Sequence, residues 1–308
     1  MIGIASAAYV IPPDRLENSE RAEKLGISAS TLEKIGIRRV ARKSPDQDTS
    51  DLCLMAARHL LEQSSVSTAR IDCLVVVTQN PSGHGLPHTS ALVHHELGLR
   101  EQCLTFDISL GCSGYVAGLA ILRDLMTAQG MRHGLLLTAD PYSKIVNECD
   151  RNTALLFGDA ATATHLTSED PVWRIGQFDF GTQSSHRTAL QVSADGHLSM
   201  NGQTVFVFAA ACVPPSIARV VERNDFTLEQ VDRFVLHQGS LGIVEAIGDR
   251  LRAGKRPEFY AADYGNTISS AIPIAFVDGV TPEDRVVVLS GFGVGLCWAS
   301  TVLERIQR

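Results

Sequence analysis

Apolar positions along the chain fall into short continuous runs that alternate with amphipathic stretches closed by glycine, the pattern of buried parallel strands and their crossover helices. IDCLVVVTQ (71–79) predicts a strand, SALVHHELG (90–98) a helix ended by glycine, and CLTFDIS (103–109) a second strand. YVAGLAILRDLMTAQG (115–130) predicts a second helix, HGLLLTAD (133–140) a third strand, and FGDAATATHL (157–166) a fourth that starts at a Phe157-Gly158 turn. The same order then recurs. VDRFVLHQ (231–238) predicts a strand, IVEAIGDRLRAG (243–254) a helix, EFYAADYG (258–265) a strand and NTISSAIPIAFVDG (266–279) a helix. RVVVLSGFGVG (285–295) and LCWASTVLERI (296–306) close the series around a Phe292-Gly293 turn.

Two passes through one order predict an α/β fold of duplicated halves, 1–168 and 169–308, packed together. LGCSGYVAGLAIL and YGNTISSAIPIAF fall at equal rank, so Cys112 and Asn266 occupy equivalent strand-to-helix turns. Segments 14–70 and 141–200 read as insertions carrying helices and loops over that core. Functional residues are expected at the carboxyl ends of strands. The apolar start IGIASAAYVI has no basic residue before it and ends at Pro12-Pro13, too short for a membrane span of roughly twenty residues. It reads as a first buried strand, with a cytoplasmic location and no membrane partner expected.

Composition narrows the classes. With 44% hydrophobic residues in 308, the chain can bury a large core, and a net charge of −7 argues against a nucleic-acid partner. The seven cysteines are scattered and form no CxxC pair, so neither a disulfide framework nor a zinc site is suggested. The adjacent histidines of VHHELG point about 100° apart on a helix, a poor metal site. No metal is expected.

Three chemistry-bearing residues stand at strand ends. Cys112, in LGCSG, follows an apolar strand and precedes a long helix, whose orphan N–H groups favour a thiolate. His237, in FVLHQGS, ends an apolar strand where an aliphatic residue would be ordinary. Asn266, in YGNTISS, follows glycine at a helix start. Each alone has a plain reading: a buried structural cysteine, a structural histidine, an N-cap asparagine. Together they are a nucleophile, a base or donor, and an amide donor on one face, an arrangement used in acyl transfer. GFGVG (291–295) adds a turn able to aim a backbone N–H at an oxyanion.

LGCSGYVAGL, LLFGDAATA, FVLHQGS, YGNTISSAIPIAF and LSGFGVGLCWAST resemble, in order, the motifs of ketoacyl-acyl-carrier-protein synthase III, an initiating condensing enzyme of the thiolase-fold superfamily. GIRRV (36–40) and MNGQTVF (200–206) are similar to further segments of that family. The resemblance implies a layered α-β-α-β-α fold and ping-pong acyl transfer without a cofactor, with acyl and malonyl thioesters of coenzyme A or acyl carrier protein as substrates. Cys112 would carry the acyl group, and His237 and Asn266 would stabilise the enolate formed as malonyl loses carbon dioxide. The N–H groups of Cys112 and Val294 would form the oxyanion hole, with Phe292 and Gly293 as support. A homodimer is implied, because the family completes its pocket across a two-fold axis.

Departures from the family pattern bear on substrate. Its adenine-stacking tryptophan is replaced near Ser30, while Arg151 matches its partner arginine, which makes an acyl-carrier-protein donor an open alternative. Val207 and Gly242 stand where carrier-docking basic residues are usual, and Arg250, Arg252, Lys255 and Arg256 form a nearby basic cluster that suits an acidic carrier or simply ends a solvated helix. Leu86 stands where a bulkier residue commonly enters the neighbour's acyl pocket, so a longer or branched primer is expected. The leading expectation is a decarboxylative Claisen condensation. Acyl transfer to an oxygen or nitrogen acceptor, and a non-catalytic partner subunit of a heterodimer, are the alternatives.

Overall fold

The computed structural model describes residues 1–64, 66–253 and 257–307. In chain order, β1 (Gly3–Val10) leads to a small ribbon, β2 (Asp14–Glu17) and β3 (Arg39–Arg42), that encloses α1 (Asn18–Lys24) and α2 (Ala29–Ile35). Then come α3 (Thr49–Gln63), β4 (Cys73–Val77), α4 (Thr89–Glu96), β5 (Leu104–Ile108), α5 (Gly114–Gln129), β6 (His133–Ala139) and β7 (Ala161–Thr167). The second pass comprises β8 (Trp173–Thr182), the short pair β9 (Leu190–Val192) and β10 (Leu198–Met200), α6 (Gly202–Arg223), β11 (Arg233–Leu236) and α7 (Leu241–Leu251). It ends with α8 (Ala271–Gly279), β12 (Val286–Gly293) and β13 (Cys297–Arg305).

Nine strands form one sheet in the order β11-β12-β13-β8-β1-β7-β6-β4-β5. The order mirrors itself: β8, β13, β12 and β11 occupy the places of β1, β7, β6 and β4, and each pairing keeps its parallel or antiparallel sense. The halves join where Gly3 and Ile4 pair with Arg174 and Trp173, and the connector between β7 and β8 contains the 168/169 boundary. Strand alternation sorts side chains into layers. Leu74, Val76, Leu135 and Leu137 pack outward on α3 and α4, whereas Val75, Val77 and Leu136 turn inward. There they meet Val116 and Leu119 of α5, Ile272 and Ala275 of α8, and Val287 and Leu289 from β12. Val288, Phe234 and Leu236 face outward again, onto Phe208, Val213 and Ile217 of α6 and Ile247 of α7. The layers therefore run α-β-α-β-α.

The structure departs from the sequence pattern in three places. β8 lay inside an expected insertion but is a central strand; its alternating burial leaves no continuous apolar run. α3, in the other expected insertion, is an outer layer of the first half, as α6 is of the second. EFYAADYG is not a strand: the fully buried Gln238 side chain bonds its backbone, accepting from Tyr260 N–H at 2.7 Å, and only a single turn forms at Ala261–Asp263. α6 is long and apolar enough to span a membrane by length and composition, but one face (Val205, Phe208, Val213, Ile217, Val220) is core.

Candidate active site

Cys112 lies between the end of β5 and the start of α5, 3% exposed. Two backbone N–H groups, those of Val294 and of Cys112 itself, face its sulfur and favour the thiolate. Burial outweighs them, helped by the nearby Asp140 carboxyl, and the thiol is pushed up to about 12. The expectation that the helix end favours a thiolate is thus reversed in the free protein, because desolvation of a closed-in sulfur exceeds what two donors return. Gly293 closes the thiol from the β12 side; a Cβ there would stand 2.5 Å from Sγ.

His237 follows β11, fixed by its own N–H donating to the Ser290 carbonyl at 2.9 Å. The ring of Phe292 stands edge-on to the imidazole, with centroids 5.4 Å apart and planes at 89°. Burial holds His237 down at about 3, partly offset by the polar backbone of Ile268, which lies against the ring. The imidazole is therefore neutral at any working pH and keeps one ring N–H to donate. Its Nε2 lies beside Gly239, on the wall of the cavity, whereas the buried Nδ1 has no hydrogen-bond partner among the described residues. Residues 292, 293 and 294 thus address the imidazole, the sulfur face and the sulfur lone pairs in turn.

Asn266 is held by the first half of the chain. Its N–H donates to the Leu156 carbonyl at 2.8 Å, and its carbonyl accepts from Gly158 N–H at 3.0 Å, a bridge that sets Phe157 opposite Asn266. The FGD turn read from the sequence is the clamp for a residue more than a hundred positions away. The Asn266 Oδ1 accepts from Ile268 N–H at 3.0 Å, which leaves Nδ2 to donate into the site. Ile268 itself has φ of +56°, a left-handed conformation that costs a β-branched residue about 1–3 kcal/mol.

Cys112, His237, Asn266, Phe292 and Gly293 all border one cavity of about 660 Å³. Its wall includes Leu156, Phe157, Leu190, Met200, Val205 and Phe206, and its mouth Thr31, Lys34, Arg151 and Glu245. Arg151 donates to the Gly26 carbonyl at 2.8 Å. Leu86 is 92% exposed and does not border this cavity within the single chain. Arg250 borders a neighbouring groove with Phe206, Val207, Ala210 and Pro214, so that face is mainly apolar. Arg252 caps α7 in a left-handed conformation, and Lys255 and Arg256 lie outside the described residues. Asp140, Tyr142, Ile268 and Ser269 were not singled out from the sequence. Asp140 carried a readable signal, an acid directly after the apolar run of β6.

Two family models match the chain. Residues 106–184 match 3-oxoacyl-[acyl-carrier-protein (ACP)] synthase III, and residues 221–305 match its C-terminal model. A β-ketoacyl-[acyl-carrier-protein] synthase III of Streptococcus mutans is 31% identical over 323 residues, covering 98% of both chains. The chain belongs to the 3-oxoacyl-acyl-carrier-protein synthase III family. It is an acyltransferase, a condensing enzyme of the β-ketoacyl-acyl-carrier-protein synthase III type. Among solved structures, the synthase III of Thermus thermophilus superposes with a TM-score of 0.91 at 29% identity, covering 99% of this chain and 100% of that one. The priming β-ketosynthase of the R1128 polyketide pathway gives 0.89 at 27%, with 99% and 96% covered. The thiolase-like fold is thereby shown.

Proposed function

We propose that the thiol of Cys112 attacks the carbonyl of an acyl thioester carried by coenzyme A or acyl carrier protein. A new C–S bond forms as the donor's C–S bond breaks, and the donor leaves as a free thiol. Malonyl thioester then loses carbon dioxide. The electron pair of the broken C–C bond becomes an enolate, whose oxygen receives hydrogen bonds from neutral His237 and from the Asn266 amide. The enolate carbon attacks the acyl carbon on Cys112, and the sulfur is expelled to give a 3-oxoacyl thioester.

One observation carries this reading: two backbone N–H groups converge on the Cys112 sulfur in a cavity that His237 and Asn266 also border. Those N–H groups suit an acyl-enzyme oxyanion. Neutral donors suit an enolate whose charge appears only in the transition state. No feature of the site favours transfer to oxygen or nitrogen, or a non-catalytic subunit.

The partner assignments rest on surface features. Arg250 at the lip of an apolar groove beside Phe206 supports docking of an acidic carrier there. β5 is a sheet edge with Leu104 exposed and Phe106 and Ile108 half-buried, which supports a homodimer. In such a dimer Leu86 would reach the neighbour's acyl pocket and admit a longer or branched primer. Seven unpaired cysteines support a reducing, cytoplasmic setting.

The test is intact-protein mass spectrometry after incubation with a panel of acyl-coenzyme A and acyl-carrier-protein thioesters, beside Cys112→Ala. An adduct confined to the wild type, discharged by malonyl thioester into a 3-oxoacyl product, is the expected result. No adduct from any donor refutes the reading.

A further inference from the structure

Asp140 follows β6 much as Cys112 follows β5 and His237 follows β11, and it is fully buried. Its Oδ2 accepts a 2.6 Å hydrogen bond from the Ser269 hydroxyl. Its Oδ1 accepts from the Gln79 N–H at 2.7 Å and the Thr78 hydroxyl at 3.3 Å. The carboxyl thus ties the end of β4 to the turn that precedes α8.

That turn is the one on which both enolate-facing groups depend. Ile268, directly before Ser269, donates its N–H to the Asn266 Oδ1, and its backbone touches His237. A β-branched residue keeps a left-handed conformation only where its neighbours over-determine it. Asn266 secures one side of Ile268, and the Ser269–Asp140 bond secures the other. Ser270 adds a bond to the Thr138 hydroxyl at 2.8 Å, one residue further from Ile268.

We propose that Asp140 is a positioning residue for decarboxylation: it anchors the Ile268–Ser269 turn that aims Asn266 and backs His237, while its charge opposes that of a Cys112 thiolate. The inference rests on the proposed roles of Cys112, His237 and Asn266. The ionisable groups in its field are Cys53 on α3, Cys112 after β5 and Tyr142 after β6. Burial pushes the carboxyl up to about 7, against the pull of its hydrogen bonds, so it changes charge across neutral pH.

The two half-reactions separate this role from a merely structural one. Asp140→Asn keeps the shape but loses the charge and one acceptor, and Ser269→Ala removes only the hydroxyl. Each full-length variant is assayed from pH 6 to pH 9 for acyl adduct on Cys112, using whichever primer loads the wild type, and for carbon dioxide release from malonyl-coenzyme A. Loading is expected at the wild-type rate in Ser269→Ala and up to about tenfold faster in Asp140→Asn. Decarboxylation is expected to fall by about tenfold or more in both, and the wild-type inflection near pH 7 to disappear in Asp140→Asn. Unchanged decarboxylation, or equal loss of both half-reactions in Ser269→Ala, overturns the proposal. A wild type that loads no primer refutes the functional reading first and takes this inference with it.

Discussion

Gly293 lies with its α-carbon against the sulfur of Cys112, close enough that a Cβ at 293 would stand 2.5 Å from Sγ and 2.7 Å from the cysteine Cβ. A heavy atom cannot occupy that space, so Gly293→Ala must move the thiol or the end of β12. Of the two N–H groups that face the sulfur, that of Val294 directly follows Gly293 and would lose its aim with that turn. Displacing a reacting atom by about 1 Å costs on the order of 100-fold in rate, whereas overpacking costs about 1–3 kcal/mol of stability. Primer loading is therefore expected to fall about 100-fold while the variant still melts cooperatively. Near-normal loading in the acyl-adduct assay would contradict this geometry.

The resting state of Cys112 gives a second expectation. Its thiol is raised to about 12, chiefly by burial, so the protonated form dominates through the neutral range. The thiolate fraction, and with it the alkylation rate by iodoacetamide, should climb about tenfold per pH unit from 7 to 9 without a plateau. Peptide mass mapping follows Cys112 separately from the exposed Cys149. A plateau near pH 8 would show that the two N–H donors outweigh burial.

The bridge between Phe157 and Asn266 can be broken without touching the side chains of Cys112, His237 or Asn266. A Cβ on Gly158 would stand 1.8 Å from the Tyr264 carbonyl oxygen, so Gly158→Ala must push the two halves apart at Asn266. The expected result is a loss of about 2–4 kcal/mol of stability and a larger loss of condensation than of primer loading. Thermal melts and the two half-reaction rates measure both effects. Equal losses in the two half-reactions would mean that this bridge does not aim Asn266.

Strands buried on both faces were legible because nothing polar interrupts them; CLVVV of β4 is buried at every position. β8 was missed because only some of its positions face a core, and α6, to which the sequence pattern assigns no element, carries Pro214-Pro215 inside it, a pair that removes two backbone donors. Cys112, His237 and Asn266 stood out as reactive or polar residues ending apolar runs, and one cavity joins them. What covers them could not be read locally. The sulfur's burial depends on Gly293 and the imidazole's on Phe292, both supplied by a distant strand, and these decide the protonation states. Ile268 gave no signal at all, since an isoleucine in a left-handed conformation is the reverse of its preference.

A last expectation concerns acid stability. His133 on β6 and His165 on β7 are buried face to face, with Nδ1 and Nε2 3.1 Å apart and ring centroids at 5.3 Å. Burial, then the charge of His133 and Arg70, holds His165 down at about 4, and His133 is lowered as well. With folded values below the ordinary imidazole value of 6.5, the unfolded chain takes up protons first. The stability these groups contribute is complete above about pH 6.5 and is lost as pH falls toward 4. His165 alone accounts for about 1–2 kcal/mol between pH 7 and pH 5. His237 acts in the same direction, while Asp140, whose folded value is raised, gains stability as pH falls through 7. The informative quantity is therefore the difference between wild type and His165→Gln. The fall in melting temperature from pH 7 to pH 5 should be smaller in the variant by about 2–6 °C. Identical slopes would mean that the pair already holds a proton at neutral pH, with Glu169, 3.7 Å from His133, as its counter-charge.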